Sequence, residues 1–387
     1  MINATLDQLK STPHLLRVVG ASLLSSIGSL SQHLAPLFAV VLVADGRATL
    51  IEAAWVVSAR SLGELAATIA LPVFKVNHLG RVAAGGALLL LMIAFSLATS
   101  PGLAALLGGF ALVGVCSGVL KHLGTLSVSA HPNRTFAFSL RLSLVLLVAG
   151  GIVLFLVAAQ SVSSFPVLLG SLMLALVPLS LVALLVYDPG QFVDAHSSAT
   201  ASEDRVAGIA GLSFIFLFFV GISGFMSFAV LHATERGLAQ NDVVWAFGGM
   251  KLAAGVWLFA CALRLISGSN SKLRLHNAGL LVATMWCVYL SRNVVEFVLA
   301  FLMLEIALNG YAVRLQARAT RRAPNFTGRW LNTAIFLGAA CGPPLYAWAI
   351  SAGLDVEFLA IASLVIALPC VPLISSSSRT ASRWAVT

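Results

Sequence analysis

The stretch AAWVVSARSLGELAATIAL, residues 53–71, combines the length and apolarity of a membrane span with two charged side chains. A helix of about 20 apolar residues crosses a hydrocarbon layer of about 30 Å. Arg60 and Glu64 stand four residues apart in this stretch, so they project from one helix face and can form an ion pair. Charges at this depth are costly, and they mark either a structural pair or a functional site. The rest of the sequence bears on which interpretation applies.

The composition of the whole chain is that of a membrane protein. Of its 387 residues, 59% are hydrophobic and 10% are charged, whereas a soluble domain has about 25% charged residues. The mean hydropathy is +0.98. Twelve apolar stretches are long enough to span a bilayer, and we predict a transmembrane helix in each. These spans, numbered 1–12 in chain order, are 15–43, 50–73, 82–99, 103–129, 136–160, 164–187, 208–232, 242–266, 276–292, 294–318, 330–351 and 356–375.

The basic residues are distributed in a way that predicts orientation. With a cytoplasmic N-terminus, most Lys and Arg residues fall in cytoplasmic segments, and only Arg47, Arg236 and Arg292 fall in the opposite loops. This asymmetry follows the positive-inside rule, so we expect both termini in the cytoplasm and contacts with anionic lipid headgroups. The net charge of +9 therefore requires no nucleic acid. The five cysteines lie in predicted spans without a C-x-x-C pair, so neither disulfides nor a metal site is expected.

A polar segment divides the predicted spans into two groups of six. DPGQFVDAHSSATASEDR, residues 188–205, is rich in turn formers, Ser and Ala, and we interpret it as a linker. Matches at an offset of about 192 residues indicate that the halves are repeats, although Pro and Asn also begin turns for local reasons. The matches pair Pro132 with Pro324, Asn133 with Asn325, Thr135 with Thr327, Gly150 with Gly342, Trp55 with Trp245 and Arg60 with Lys251. We predict an N-terminal bundle of residues 1–187, a cytoplasmic linker of 188–207 and a C-terminal bundle of 208–387.

Two short motifs carry a resemblance to a known family. The loop VFKVNHLGRV, residues 73–82, has Gly80 and Arg81 of the signature Gly-x-x-x-Asp-Arg-x-Gly-Arg-basic, with Asn77 in place of Asp. Span 11 contains GAACGPPLYAW, similar to a Gly-Pro element. With six plus six spans and a linker, the chain resembles the major facilitator superfamily. The resemblance implies an all-α membrane fold of two pseudo-symmetric six-helix bundles, with spans 3, 6, 9 and 12 facing lipid. It also implies a gating role for the loop residues Asn77, Gly80 and Arg81.

Buried basic residues from both halves form the candidate substrate site. Arg60 in span 2 and Lys251 in span 8 occupy equivalent repeat positions, and Lys121 in span 4 is nearly equivalent to Arg314 in span 10. In the implied fold such residues converge on one cavity, where fixed positive charges suit an anion. Further candidates for substrate binding are Gln32, His33 and Asn309. Lys121 and Arg314 could instead extend to the cytoplasmic interface, and His33 could be structural.

Two glutamates are candidates for proton coupling. Burial disfavours the charged form of a carboxyl group, so Glu305 near the middle of span 10 is the first candidate to take up and release a proton. Glu64 is the second, because Arg60 should keep it ionised. The alternative for Glu305 is a salt bridge with Lys251 or Arg60. Arg141, early in span 5, fits a membrane-interface residue better than a ligand.

The predicted function is secondary active transport. We expect a monomer without cofactors that moves a small organic solute of anionic character across the cytoplasmic (inner) membrane by proton-coupled alternating access. The alternatives are a multidrug/H⁺ efflux antiporter, which usually needs acidic cavity residues and a Gly-Pro element in span 5, and a transporter of a lipid-like substrate. An enzyme is not expected. GISG, residues 221–224, matches the G-x-S-G of rhomboid-like proteases, but so short a pattern arises easily, and H-E-x-x-H and P-loop motifs are absent.

Overall fold

The structure, a computed structural model, describes residues 13–74, 80–129, 134–188, 205–266, 278–322 and 324–354, and this part of the chain is almost entirely helical. A short 3₁₀ helix covers Ser161–Ser163. The described α-helices are α1 Pro13–His33, α2 Ala35–Ala44, α3 Leu50–Phe74, α4 Gly80–Ala98, α5 Leu103–Ser129, α6 Arg134–Ala158, α7 Phe165–Val186, α8 Arg205–Glu235, α9 Gln240–Ile266, α10 Ala278–Leu290, α11 Val294–Arg322 and α12 Pro324–Ser351.

Within the described residues, nine helical stretches are long and apolar enough to cross a membrane. The chain is therefore a multi-pass membrane protein. Predicted spans 2–11 each coincide with one described helix, α3 to α12 in order. Span 12, residues 356–375, lies outside the described residues, so the count of twelve stays a prediction.

Span 1 is interrupted near its middle. α1 ends at His33 and α2 begins at Ala35, with Pro36 in the first turn of α2. Proline has no backbone N–H, and its ring crowds the carbonyl group four residues earlier, which here belongs to Gln32. The break therefore falls beside Gln32 and His33, the two residues of span 1 that are candidates for substrate binding.

The connection between spans 10 and 11 is shorter than the sequence predicts. Predicted spans 10 and 11 leave residues 319–329 between them, but α11 continues to Arg322 and α12 begins at Pro324. Basic residues lower the hydropathy of this region, yet they are good helix formers and leave the backbone hydrogen bonds of the helix intact. Hydropathy marks where the apolar part of a helix ends, and the helix itself extends further.

The outer surface carries the apolar side chains expected to face lipid. In α4 and α7, Leu89, Leu174 and Leu185 are 66%, 70% and 80% exposed. Apart from Arg81 in its first turn, α4 has no charged residue, and α7 has none. Exposed side chains of this kind would be unfavourable in water but are favoured in a hydrocarbon layer.

The two halves pack against each other through α2 with α8, α3 with α12, and α6 with α9. The α6–α9 contact is close, because a Cβ atom on Gly150 would lie 2.8 Å from the carbonyl oxygen of Gly248. Ser143 Oγ donates a hydrogen bond to Gly255 O across the same contact at 2.7 Å. Small residues permit this approach of two helix backbones.

Helices α3 and α5 also meet backbone to backbone. A Cβ atom on Gly114 would overlap the carbonyl oxygen of Arg60, and one on Gly63 would overlap the carbonyl oxygen of Ala111. The absence of side chains here allows α5 to approach α3 so closely that Lys121 of α5 reaches Glu64 of α3.

We expect Gly114→Ala to destabilise the protein by about 1–3 kcal/mol, because the added methyl group must push α5 away from α3. The measurement is the midpoint of thermal unfolding in detergent. Gly108→Ala is the matched control in the same helix, since a Cβ atom there meets no atom within 4 Å. Equal midpoints for the two variants would contradict the close packing.

Candidate functional site

A cavity of about 160 Å³ lies between the helices of the two halves. This volume exceeds what one ordered water needs, about 10–15 Å³ measured in the same way, so the cavity can hold several waters or a small solute. Helices α1, α2, α3, α5 and α6 line it on one side, and α8, α9, α11 and α12 line it on the other. Its charged, imidazole and amide lining residues are Gln32, His33, Arg60, Lys121, Arg141, Lys251, Glu305, Asn309 and Asn332.

The first charged cluster is built on Glu64. Its Oε1 atom accepts hydrogen bonds from Arg60 Nη1 at 2.8 Å and from Lys121 Nζ at 2.7 Å. Arg60 Nη2 also donates to Ser61 Oγ, and Lys121 Nζ donates to Gln32 Oε1, both at 2.8 Å. The three charged residues are 3% exposed or less. One carboxylate is therefore shared by two buried cations.

The second charged cluster is built on Glu305. Lys251 Nζ donates to Glu305 Oε1 at 2.6 Å, and Asn309 Nδ2 donates to Glu305 Oε2 at 2.8 Å. Asn309 is held in place because the same amide group also donates to the backbone carbonyl of Glu305. Lys251 and Glu305 are each 1% exposed. This is a one-to-one ion pair with both carboxylate oxygens occupied.

Two contacts cross the cavity between the halves. Lys251 Nζ lies 3.4 Å from His33 Nδ1, which can accept a hydrogen bond when the imidazole is neutral. Lys121 Nζ lies 4.9 Å from the centre of the Phe336 ring, a cation–π geometry. Each cluster thus touches a residue of the opposite half, so a change in either cluster alters the contact between halves.

Among the described residues, those in and beside the cavity carry more positive than negative charge. Arg60, Lys121, Arg141 and Lys251 are basic, and only Glu64, beside the cavity, and Glu305, in its wall, are acidic. With His33 neutral, the surplus is two positive charges. A poorly hydrated site with fixed positive charges attracts anions more strongly than the same charges in water.

The structure brings most of the predicted site residues together. The six predicted substrate-binding residues line the cavity: Gln32, His33, Arg60, Lys121, Lys251 and Asn309. Glu305 also lines it, whereas Glu64 lies behind Arg60 and Lys121, fully buried. The side chain of Arg314 lies outside the described residues. The structure gives the positions of these residues, and their roles in substrate binding and proton coupling stay predictions.

Arg141 is placed differently from the sequence interpretation. It lines the cavity, and its Nε donates to Ser25 Oγ of α1 at 2.7 Å. A residue early in a span can either extend to the interface or turn inward, and the apolar sequence around Arg141 does not distinguish these directions. Trp55 and Trp245, which the repeat pairs with each other, are 51% and 45% exposed and lie outside the cavity wall.

The residues of the predicted gating loop are described in part. Asn77 lies outside the described residues. Gly80 begins α4 with φ +38°, a conformation that favours glycine. Arg81 Nε donates to the carbonyl oxygen of Tyr187 at 2.8 Å. This contact ties α4 to the end of α7 and does not reach the C-terminal half.

The serine of the GISG pattern also lines the cavity. Ser223 Oγ lies 3.4 Å from Gly338 O and 3.5 Å from Val220 O. A nucleophilic serine needs an adjacent general base. Among the described residues, the hydrogen-bond partners of Ser223 are backbone carbonyl groups, which cannot act as that base.

Comparison with known proteins identifies the fold. The sequence matches no family model and no curated protein. The structure is similar to the crystal structure of the human organic anion transporter MFSD10 (TETRAN), with a TM-score of 0.63, 18% sequence identity and coverage of 93% of this chain and 99% of that chain. At this identity the similarity establishes the fold alone. The chain has the major facilitator superfamily fold, as the sequence resemblance implies.

Proposed function

We propose that this chain is a secondary active transporter, acting as a monomer, that moves a small organic anion across the cytoplasmic (inner) membrane by proton-coupled alternating access. The observation that carries the proposal is a cavity between the two halves whose described cations outnumber its carboxylates. The human protein with a similar fold is an organic anion transporter, which supports the same solute class. In this proposal the bundles 1–187 and 208–387 rock about the cavity, and both termini stay in the cytoplasm.

The Lys251–Glu305 pair supplies a coupling step. In the resting pair, the ammonium group of Lys251 donates to Glu305 Oε1 and is not free to bind a solute. A proton that binds Glu305 removes its negative charge and leaves Lys251 without a counter-charge, which adds one positive charge to the cavity and strengthens its attraction for the anionic groups of the solute. Proton binding and anion binding therefore favour each other, and loss of the proton from Glu305 restores the ion pair. This links solute movement to proton movement.

The same charges argue against export of cations. A cationic drug would need a carboxylate, but Glu64 already binds two cations and Glu305 binds one. Opening either pair for a cation would leave a buried Lys or Arg without a counter-charge, which is strongly unfavourable.

The test is solute uptake by the purified full chain in proteoliposomes, with a panel of labelled organic anions, neutral solutes and cations. We expect accumulation of anions under an imposed pH gradient and not under equal pH, and no accumulation when a protonophore collapses the gradient. Protein-free liposomes are the control for leakage. Accumulation of cations, with none of anions, would contradict the proposal and favour the multidrug alternative.

A further inference from the structure

We infer that the transported solute is an organic dianion, with one acidic group bound by Arg141 and the other by Arg60 and Lys121. This inference rests on the proposed function and names the solute class more narrowly. The inference depends on which basic side chains of the cavity are paired with a carboxylate and which are not.

Arg141 is the first cation without a carboxylate partner. It lines the cavity, and its hydrogen bond goes to the neutral hydroxyl group of Ser25 through Nε alone. The other N–H groups of a guanidinium point away from Nε and form the planar fork that binds carboxylate and phosphate groups. Within the described residues, the buried carboxylates pair with Arg60, Lys121 and Lys251, and none pairs with Arg141.

The Glu64 cluster supplies the second unbalanced charge. Arg60 and Lys121 donate to the same oxygen, Oε1 of Glu64, at 2.8 and 2.7 Å. One negative charge cannot neutralise both, so this cluster keeps a net charge of about +1. Arg60 and Lys121 line the cavity, while Glu64 does not, so the uncompensated charge faces the solute. Lys251, by contrast, is matched by Glu305.

While Glu305 is ionised and matches Lys251, a solute with two negative charges balances the remaining charge of the cavity best. A monoanion would leave one cation of the cavity without a counter-charge, which is costly. The remaining wall is largely apolar and includes Phe138, Phe219, Met226, Leu308 and Ile335. It therefore suits a carbon skeleton between the two acidic groups. Dicarboxylates and phosphate esters share this chemistry.

The experiment compares matched monoanions and dianions as competitors of the labelled anion identified by the uptake panel. The pairs are butyrate with succinate and benzoate with phthalate, at a pH where every carboxyl group is ionised, and glycerol phosphate tests the phosphate ester. We expect each dianion to compete at a concentration about tenfold or more below that of its monoanion.

Variants at Arg141 then test where the second acidic group binds. Arg141→Gln should raise the KM for the dianion about tenfold or more and change monoanion competition by less than about threefold. Arg141→Lys keeps the charge and should retain most of the preference for dianions. The matched control is Arg236→Gln, at an exposed arginine just after α8 that does not line the cavity.

The outcomes separate this inference from the proposed function. The inference is overturned if monoanions compete as well as dianions, or if Arg141→Gln weakens the binding of monoanions and dianions equally. In either case the proposal of anion transport is unaffected. If dianions fail to compete with the transported anion, the inference is also overturned. If the wild-type chain moves no anion at all, the proposed function fails, and the inference fails with it.

Discussion

Replacing Glu64 with glutamine is expected to reduce the free energy of unfolding by about 3–5 kcal/mol, as removal of one partner from a buried ion pair does. Glu64 is fully buried and is the only described carboxylate that contacts Arg60 and Lys121. Its neutral replacement leaves two buried cations next to each other without a counter-charge. The measurement is the thermal unfolding midpoint in detergent, together with the yield of monodisperse protein.

A second substitution distinguishes charge from packing. Combining Glu64→Gln with Lys121→Gln removes one cation and restores the net charge of the cluster, so we expect it to recover much of the lost stability. Glu235→Gln is the control, because the Glu235 side chain is 63% exposed and should tolerate the change. A double variant less stable than Glu64→Gln alone would contradict the interpretation that Glu64 stabilises the protein by balancing the charge of the cluster.

The sequence alone predicts the membrane-spanning helices because the relevant signals are local. A run of apolar residues long enough to cross a bilayer must form a helix there, since no water is available to hydrogen-bond its backbone. The pairing of Arg60 with Glu64 also follows from spacing alone, because residues four apart share a helix face. The structure has this pair at 2.8 Å.

The contacts between helices could not be predicted in the same way. Nothing local indicates that Lys121 shares an oxygen of Glu64 with Arg60, because that contact depends on the close approach at Gly114. Arg141 lies seven residues into α6, roughly 10 Å along its axis, a depth from which a long side chain can reach either the interface or the interior. Only packing of α6 against α1, where Ser25 accepts a hydrogen bond, settles its direction.

Substitutions at Lys251 and Glu305 are expected to abolish proton-driven uptake, and their combination distinguishes a coupling role from a structural one. Lys251→Met removes the cation that pairs with Glu305, so the ion pair that the proposed coupling step opens and closes can no longer form. Glu305→Gln leaves Lys251 unpaired and removes the proton-binding group. Each single change should also reduce stability by about 3–5 kcal/mol, because it leaves a buried group that has lost its partner.

The double variant Lys251→Met/Glu305→Gln should regain stability to within about 1 kcal/mol of the wild type, since replacing a buried pair by neutral residues is often neutral. If Glu305 couples protons, this stable double variant should still exchange labelled anion for unlabelled anion across the liposome membrane but should not accumulate it under a pH gradient. A purely structural pair would give the opposite result, because restored stability would restore gradient-driven accumulation as well. The ratio of gradient-driven uptake to exchange, measured on the same preparation, therefore decides between the two roles independently of how much protein folds.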